Sequence, residues 1–68
     1  MLNIARLNEA IVRHQLSIPR LADSIGISKS TFYRKLKDGG DNFMLWEIES
    51  MIKQLGLTPH EAAEIFLA

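Results

Sequence analysis

The stretch LADSIGISKSTFYRKLKDGG (residues 21–40) decides how this chain is read. Between Ser28 and Lys37 it carries Lys29, Arg34, Lys35 and Lys37 with no acid among them. That is half of the eight Lys and Arg residues in a chain whose net charge is zero. Ala22 stands four residues before Gly26, and Phe32 stands six after it. A small residue at 22 lets two helices cross closely. Gly26 takes the left-handed conformation that reverses the chain at little cost. Ile27 and Phe32 are then placed to plug the angle between the helices.

Working outward, every segment has helical spacing, and none alternates with the period of two that a strand needs. A first helix is expected from about Leu2 to His14, with Ile4, Leu7 and Ile11 on one side. Ser17 offers a hydroxyl to cap a second, Ile18 to Ile25, with Pro19 in its first turn, where a missing N–H costs little. Ser28 caps a third that runs to about Lys37, and DGGDN (38–42) is a turn. A fourth spans Leu45 to Leu55, with Leu45, Ile48, Ile52 and Leu55 as its apolar side, and Gly56 stops it. The fifth opens at TPHE, with Thr58 as cap, Pro59 at its first position and Glu61 closing a capping box. Ala62, Ile65 and Phe66 point inward from it. The expected fold is all-α: one compact five-helix domain over residues 1–68, with helices 2 and 3 forming a helix-turn-helix whose second helix faces outward.

Charge follows the same division. Residues 1–37 hold seven Lys/Arg and two acids, a net of +5, and residues 38–68 hold one Lys and six acids, a net of −5. Such asymmetry between halves points to a charged partner. On the wheel of the third helix, Phe32 and Leu36 define the buried side. Ser30, Arg34 and Lys37 fall opposite, Lys29 and Tyr33 on one flank and Thr31 on the other. Arg pairs bidentately with guanine, Lys reads the same edge, and hydroxyls reach bases or phosphates. Ser28, as cap, can aim its hydroxyl or N–H at a phosphate. Lys35 is expected on the phosphate backbone. Arg20 and Lys29 both place a cation in a helix's first turn, against the macrodipole, at a cost of roughly 0.3–1 kcal/mol. Stability alone would favour acids there.

The stretches LSIPRLADSIGISKSTFYRKLKDG (16–39) and LWEIESMIKQLGLTPHEAAEIF (45–66) resemble the small Cro/repressor-type (lambda-repressor-like, Xre-type) helix-turn-helix family of phages and bacteria. The likeness covers nearly the whole chain. It implies sequence-specific binding of double-stranded DNA, usually by a homodimer, with base contacts from Lys29, Ser30, Tyr33 and Arg34. The chain departs from the family in three places. Ile18 stands where Gln commonly contacts the backbone, so that contact is either lost or passed to Arg20. Met44 precedes the fourth helix where Ser or Thr is common, and since it cannot cap, Asn42 or Asp41 is expected to do so with a shifted start. Trp46 is unusual and is expected to be partly buried under the preceding loop with Phe43, the alternative being an indole N–H on phosphate or a protein contact.

A monomer of this size reads few base pairs, which favours two copies on a palindrome. The spare apolar surface of AEIFLA (63–68) marks Phe66 and Leu67, with Met51, as the expected homodimer contact. No cofactor, metal or small-molecule ligand is expected, and no enzymatic activity. His14 and His60 lie in different helices, and His60 with Glu64 makes at most two ligands. Glu47, Glu49, Glu61 and Glu64 read as charge at helix starts and on solvated faces. Absence of cysteine excludes disulfides and thiolate metal sites. The apolar runs are too short for a membrane span, and MLNIARLNEA does not resemble a secretory signal, so a cytoplasmic location is expected. The rival expectation is a protein-interaction module, antitoxin-like or anti-repressor, that uses the acidic C-terminal half.

Overall fold

The computed structural model describes residues 2–67. Among them there are five helices and no strand: α1 (Ile4–Arg13), α2 (Ile18–Ile25), α3 (Lys29–Lys37), α4 (Leu45–Leu55) and α5 (Pro59–Phe66). None is long and apolar enough to cross a membrane. The chain is drawn into a body of 28 × 24 × 20 Å.

Local chemistry accounts for most boundaries. Ser17, Ser28 and Thr58 each accept the backbone N–H three residues on, from Arg20, Thr31 and Glu61. α1 is shorter than its apolar spacing suggested, because Asn3 caps it by accepting the Arg6 N–H at 3.1 Å. Gly26 ends α2 at φ +85°, donating to Asp23, while Ile27 donates to the carbonyl of Ala22. Three residues, Gly26 to Ser28, therefore carry the chain from α2 into α3.

The core is one cluster in which Leu7, Leu21, Phe32, Met51 and Leu55 are wholly enclosed. α2 packs on both α3 and α4, and α1 packs on α5. Ala22, fully buried, is the small residue at the α2–α3 approach. Phe32 and Leu36 seat α3, and Phe43 from the following loop meets Phe32 edge-on, with ring centroids 5.1 Å apart.

α4 differs from its expected orientation. Its buried line is Glu47, Met51 and Leu55, flanked by half-buried Ile48 and Ile52, whereas Leu45 is 71% exposed. The start of the helix is not shifted. Met44 is the N-cap, with no hydrogen bond from its own side chain; the Glu47 carboxylate accepts the Met44 N–H at 2.6 Å instead. Asn42 does not cap, since its amide donates to Asp38. With Glu47 on the inward side of α4, Leu45 two residues earlier faces solvent. Trp46 follows it, 51% exposed, while Phe43 takes the buried position alone.

Candidate nucleic-acid interface

α3 is nine residues long and only two of them, Phe32 and Leu36, are buried. The exposed residues are Lys29, Ser30, Tyr33, Arg34 and Lys37. At 100° per residue they occupy a continuous arc of roughly 140°. Tyr33 is 49% exposed, which leaves its phenol available above the arc. Arg20, in the first turn of α2, is exposed as well.

Ion pairing sharpens the charge division seen in the sequence. Arg6 pairs with Glu64 at 3.1 Å and Arg13 with Glu61 at 2.7 Å, so α1 and α5 neutralise each other. Arg20, Lys29, Arg34 and Lys37 have no acidic partner among the described residues. Of the five Lys and Arg without an acidic partner among the described residues, four thus lie on α2 and α3, the fifth being Lys53 on α4.

Three residues expected on this surface are engaged differently. The Ser28 hydroxyl accepts the Thr31 N–H at 3.1 Å and donates to the Thr31 Oγ1 at 2.9 Å. Both hydroxyls therefore serve the helix start, and Thr31 is half-buried. Lys35 turns inward: its side chain is only 15% exposed and its Nζ lies 2.6 Å from Oε1 of Glu47, itself 2% exposed. The Lys35 ammonium also stands 5.7 Å from the Phe43 ring centroid. The expectation of a phosphate contact from Lys35 is corrected accordingly, as is that of a solvated Glu47. A charge drawn into a dry pocket is held there by its counter-charge, and removing either would strand the other.

Met51 is wholly enclosed and cannot contribute to a surface contact, because α4 presents it along the same inward line as Glu47 and Leu55. Phe66 is half-buried against the core, and Leu67 is exposed. Met44, Leu45 and Trp46 form an exposed apolar run at the start of α4 that pattern reading did not foresee. A missing cap residue at 44 was the available signal, since Met there gives up the roughly 0.5–2 kcal/mol of a Ser or Thr cap.

On α5, Glu61 has its carboxyl held below its ordinary value of 4.5. The backbone N–H of Thr58 is the largest cause, followed by the Thr58 hydroxyl and the positive charge of Arg13. His60 Nε2 lies 3.3 Å from Glu64 Oε1, a side-chain pair one turn apart. No group of three His, Cys, Asp or Glu side chains converges among the described residues in a way that would hold a metal ion.

No family model, curated protein or solved structure matches this chain.

Proposed function

We propose that this domain is a sequence-specific double-stranded DNA-binding regulator of the Cro/repressor type, with α2 and α3 as its helix-turn-helix and α3 entering the major groove. The observation that carries the reading is the arc of Lys29, Ser30, Tyr33, Arg34 and Lys37, exposed together and without an acidic partner among the described residues. Arg34 and Lys29 have the donors that read guanine O6 and N7; Ser30 and Tyr33 add hydroxyls for base edges or phosphates. Lys37 and Arg20 supply sequence-independent phosphate attraction, which salt weakens by counterion release.

Size supports a pair of copies. The longest extent of the body is 28 Å, shorter than the roughly 34 Å between successive faces of one groove. One copy reads one half-site, so a palindromic operator needs two. Leu67, beside half-buried Phe66, is the part of the expected dimer contact that remains at the surface.

Selection of bound duplexes from a random pool tests the reading, and a palindromic motif is the expected result. The double variant Lys29→Ala/Arg34→Ala should abolish the preference. If it binds the selected duplex as the parent does, the reading is wrong. The interaction-module reading draws on the exposed run Met44–Trp46, a surface suited to a protein contact. It loses ground at the acidic half, where Glu47, Glu61 and Glu64 are already paired within the chain.

A further inference from the structure

We propose that the Lys35–Glu47 pair is a positioning clamp that sets the roll of α3 about its own axis, and with it the register of Lys29, Tyr33 and Arg34 against base edges; the inference rests on the DNA-binding reading above. α3 is seated by two apolar side chains, Phe32 and Leu36, which lie four residues apart along a single line. Contact along one line is non-directional and leaves a short helix free to roll. Lys35 leaves the helix to one side of that line, and among the described residues its bond to Glu47 is the only side-chain hydrogen bond or ion pair joining α3 to another helix.

The far end of the clamp is itself fixed. Oε1 of Glu47 accepts both the Lys35 ammonium and the Met44 N–H, each at 2.6 Å. The same ammonium faces Phe43, whose ring rests on Phe32. One oxygen thereby ties α3, the loop after it and the first turn of α4 into a single unit. A buried ion pair is a poor source of stability, because apolar side chains of like volume often do as well or better. Orientation is what it supplies that an apolar contact does not. Recognition groups lose their function when displaced by more than about half an ångström or 10–20°, so a roll of α3 would spoil reading without unfolding anything. Lys35 and Glu47 are positioning residues here and touch no base.

The test uses Glu47→Gln, which still accepts the Met44 N–H, and Lys35→Met, with the double variant Lys35→Met/Glu47→Leu as an apolar replacement should either single variant fail to fold. Residual dipolar couplings report helix orientation without DNA. Those of α3 should depart from the parent orientation or shrink, while α1, α2 and α5 keep theirs. If the α3 couplings stay on the parent orientation, the clamp is disproved whether or not the protein binds DNA.

On the selected duplex, the ratio of specific to non-specific affinity should fall about tenfold or more, the scale of a mismatched base pair. The salt dependence should not change. A salt slope lowered by about one in Lys35→Met alone, with Glu47→Gln like the parent, would make Lys35 a phosphate contact and overturn the proposal. Equal loss of specific and non-specific binding, tracking a smaller folded fraction, would overturn it too. If the parent shows no sequence preference at all, it is the DNA-binding reading that fails, and the couplings alone then judge the clamp.

Discussion

The turns at Ile25–Lys29 and Leu55–Pro59 have one backbone design. Each places a glycine at positive φ, +85° at Gly26 and +59° at Gly56, then an apolar residue, then a hydroxyl cap. In each, the apolar residue donates to the carbonyl five back, Ile27 to Ala22 and Leu57 to Ile52, at 3.1 and 3.0 Å. Superposed on that frame, the helices that follow have opposite chemistry. Lys29 corresponds to Pro59, Thr31 to Glu61, Phe32 to Ala62 and Arg34 to Glu64. α5 begins as stability alone would choose, with proline and a capping-box acid, and its acids bind the arginines of α1. α3 begins with a cation, has no acid in its first turn, and leaves Arg34 unpaired. The turn is therefore a general way to join two helices. Function has to be read from what the second helix does with its charges.

The largest effect should separate the two helices by their packing. Phe32→Ala removes a wholly enclosed ring and should cost about 3–5 kcal/mol, comparable to the whole stability of a domain this small. Its counterpart change, Ala62→Gly, should cost about 1 kcal/mol, the ordinary helix penalty. Thermal melts followed by circular dichroism would show the first unfolded at room temperature and the second intact.

Next comes Arg34→Ala against Glu64→Ala. The arginine variant should lose roughly 1–3 kcal/mol of affinity for a selected duplex and relax preference at one base, with its melting curve unchanged. Glu64→Ala should keep that affinity and lose at most about 1 kcal/mol of stability, since its pair with Arg6 is half exposed. Titration calorimetry and melts on both variants check this, and a matched loss of affinity would dissolve the contrast.

Gly26→Ala and Gly56→Ala should be nearly equal, about 1–2 kcal/mol each. Neither added Cβ would meet another atom within 4 Å, so the backbone conformation is the whole cost. A much larger loss at one site, measured by urea unfolding, would show that the two turns are not equivalent.

The smallest effect is a pH dependence confined to α5. Because the folded-state carboxyl of Glu61 titrates below its ordinary value of 4.5, its contribution is present above that value and is lost as pH falls through the lowered one. Thr58→Ala, which removes the hydroxyl but keeps the backbone donor, should shrink this acid-side loss. Melts taken across the acid range check it, and no counterpart is expected at α3, where Thr31 holds the equivalent position.

Most helix limits were legible because they are local chemistry. Ser17, Ser28 and Thr58 cap where their hydroxyls stand in the sequence, and Gly26 and Gly56 end helices through their own dihedral freedom. The outward arc of α3 was legible for a similar reason, as Phe32 and Leu36 mark the side of the helix that faces the core. The fates of Lys35, Glu47, Leu45, Trp46 and Met51 were not. A glutamate three residues into a helix normally lies in water. It is buried here because a lysine twelve positions earlier and the Met44 N–H converge on one of its oxygens. With Glu47 on the inward side of α4, Met51 is enclosed and Leu45 and Trp46 face outward.

The amino-acid order by itself determined five helices, their turns and the clustering of cations on one nine-residue helix, since caps, glycines and helical spacing act within a few residues of one another. Tertiary structure alone decided which of those cations stay free. Whether an ammonium or guanidinium finds a carboxylate depends on distances between helices remote in sequence, and those distances are set by how the apolar core closes.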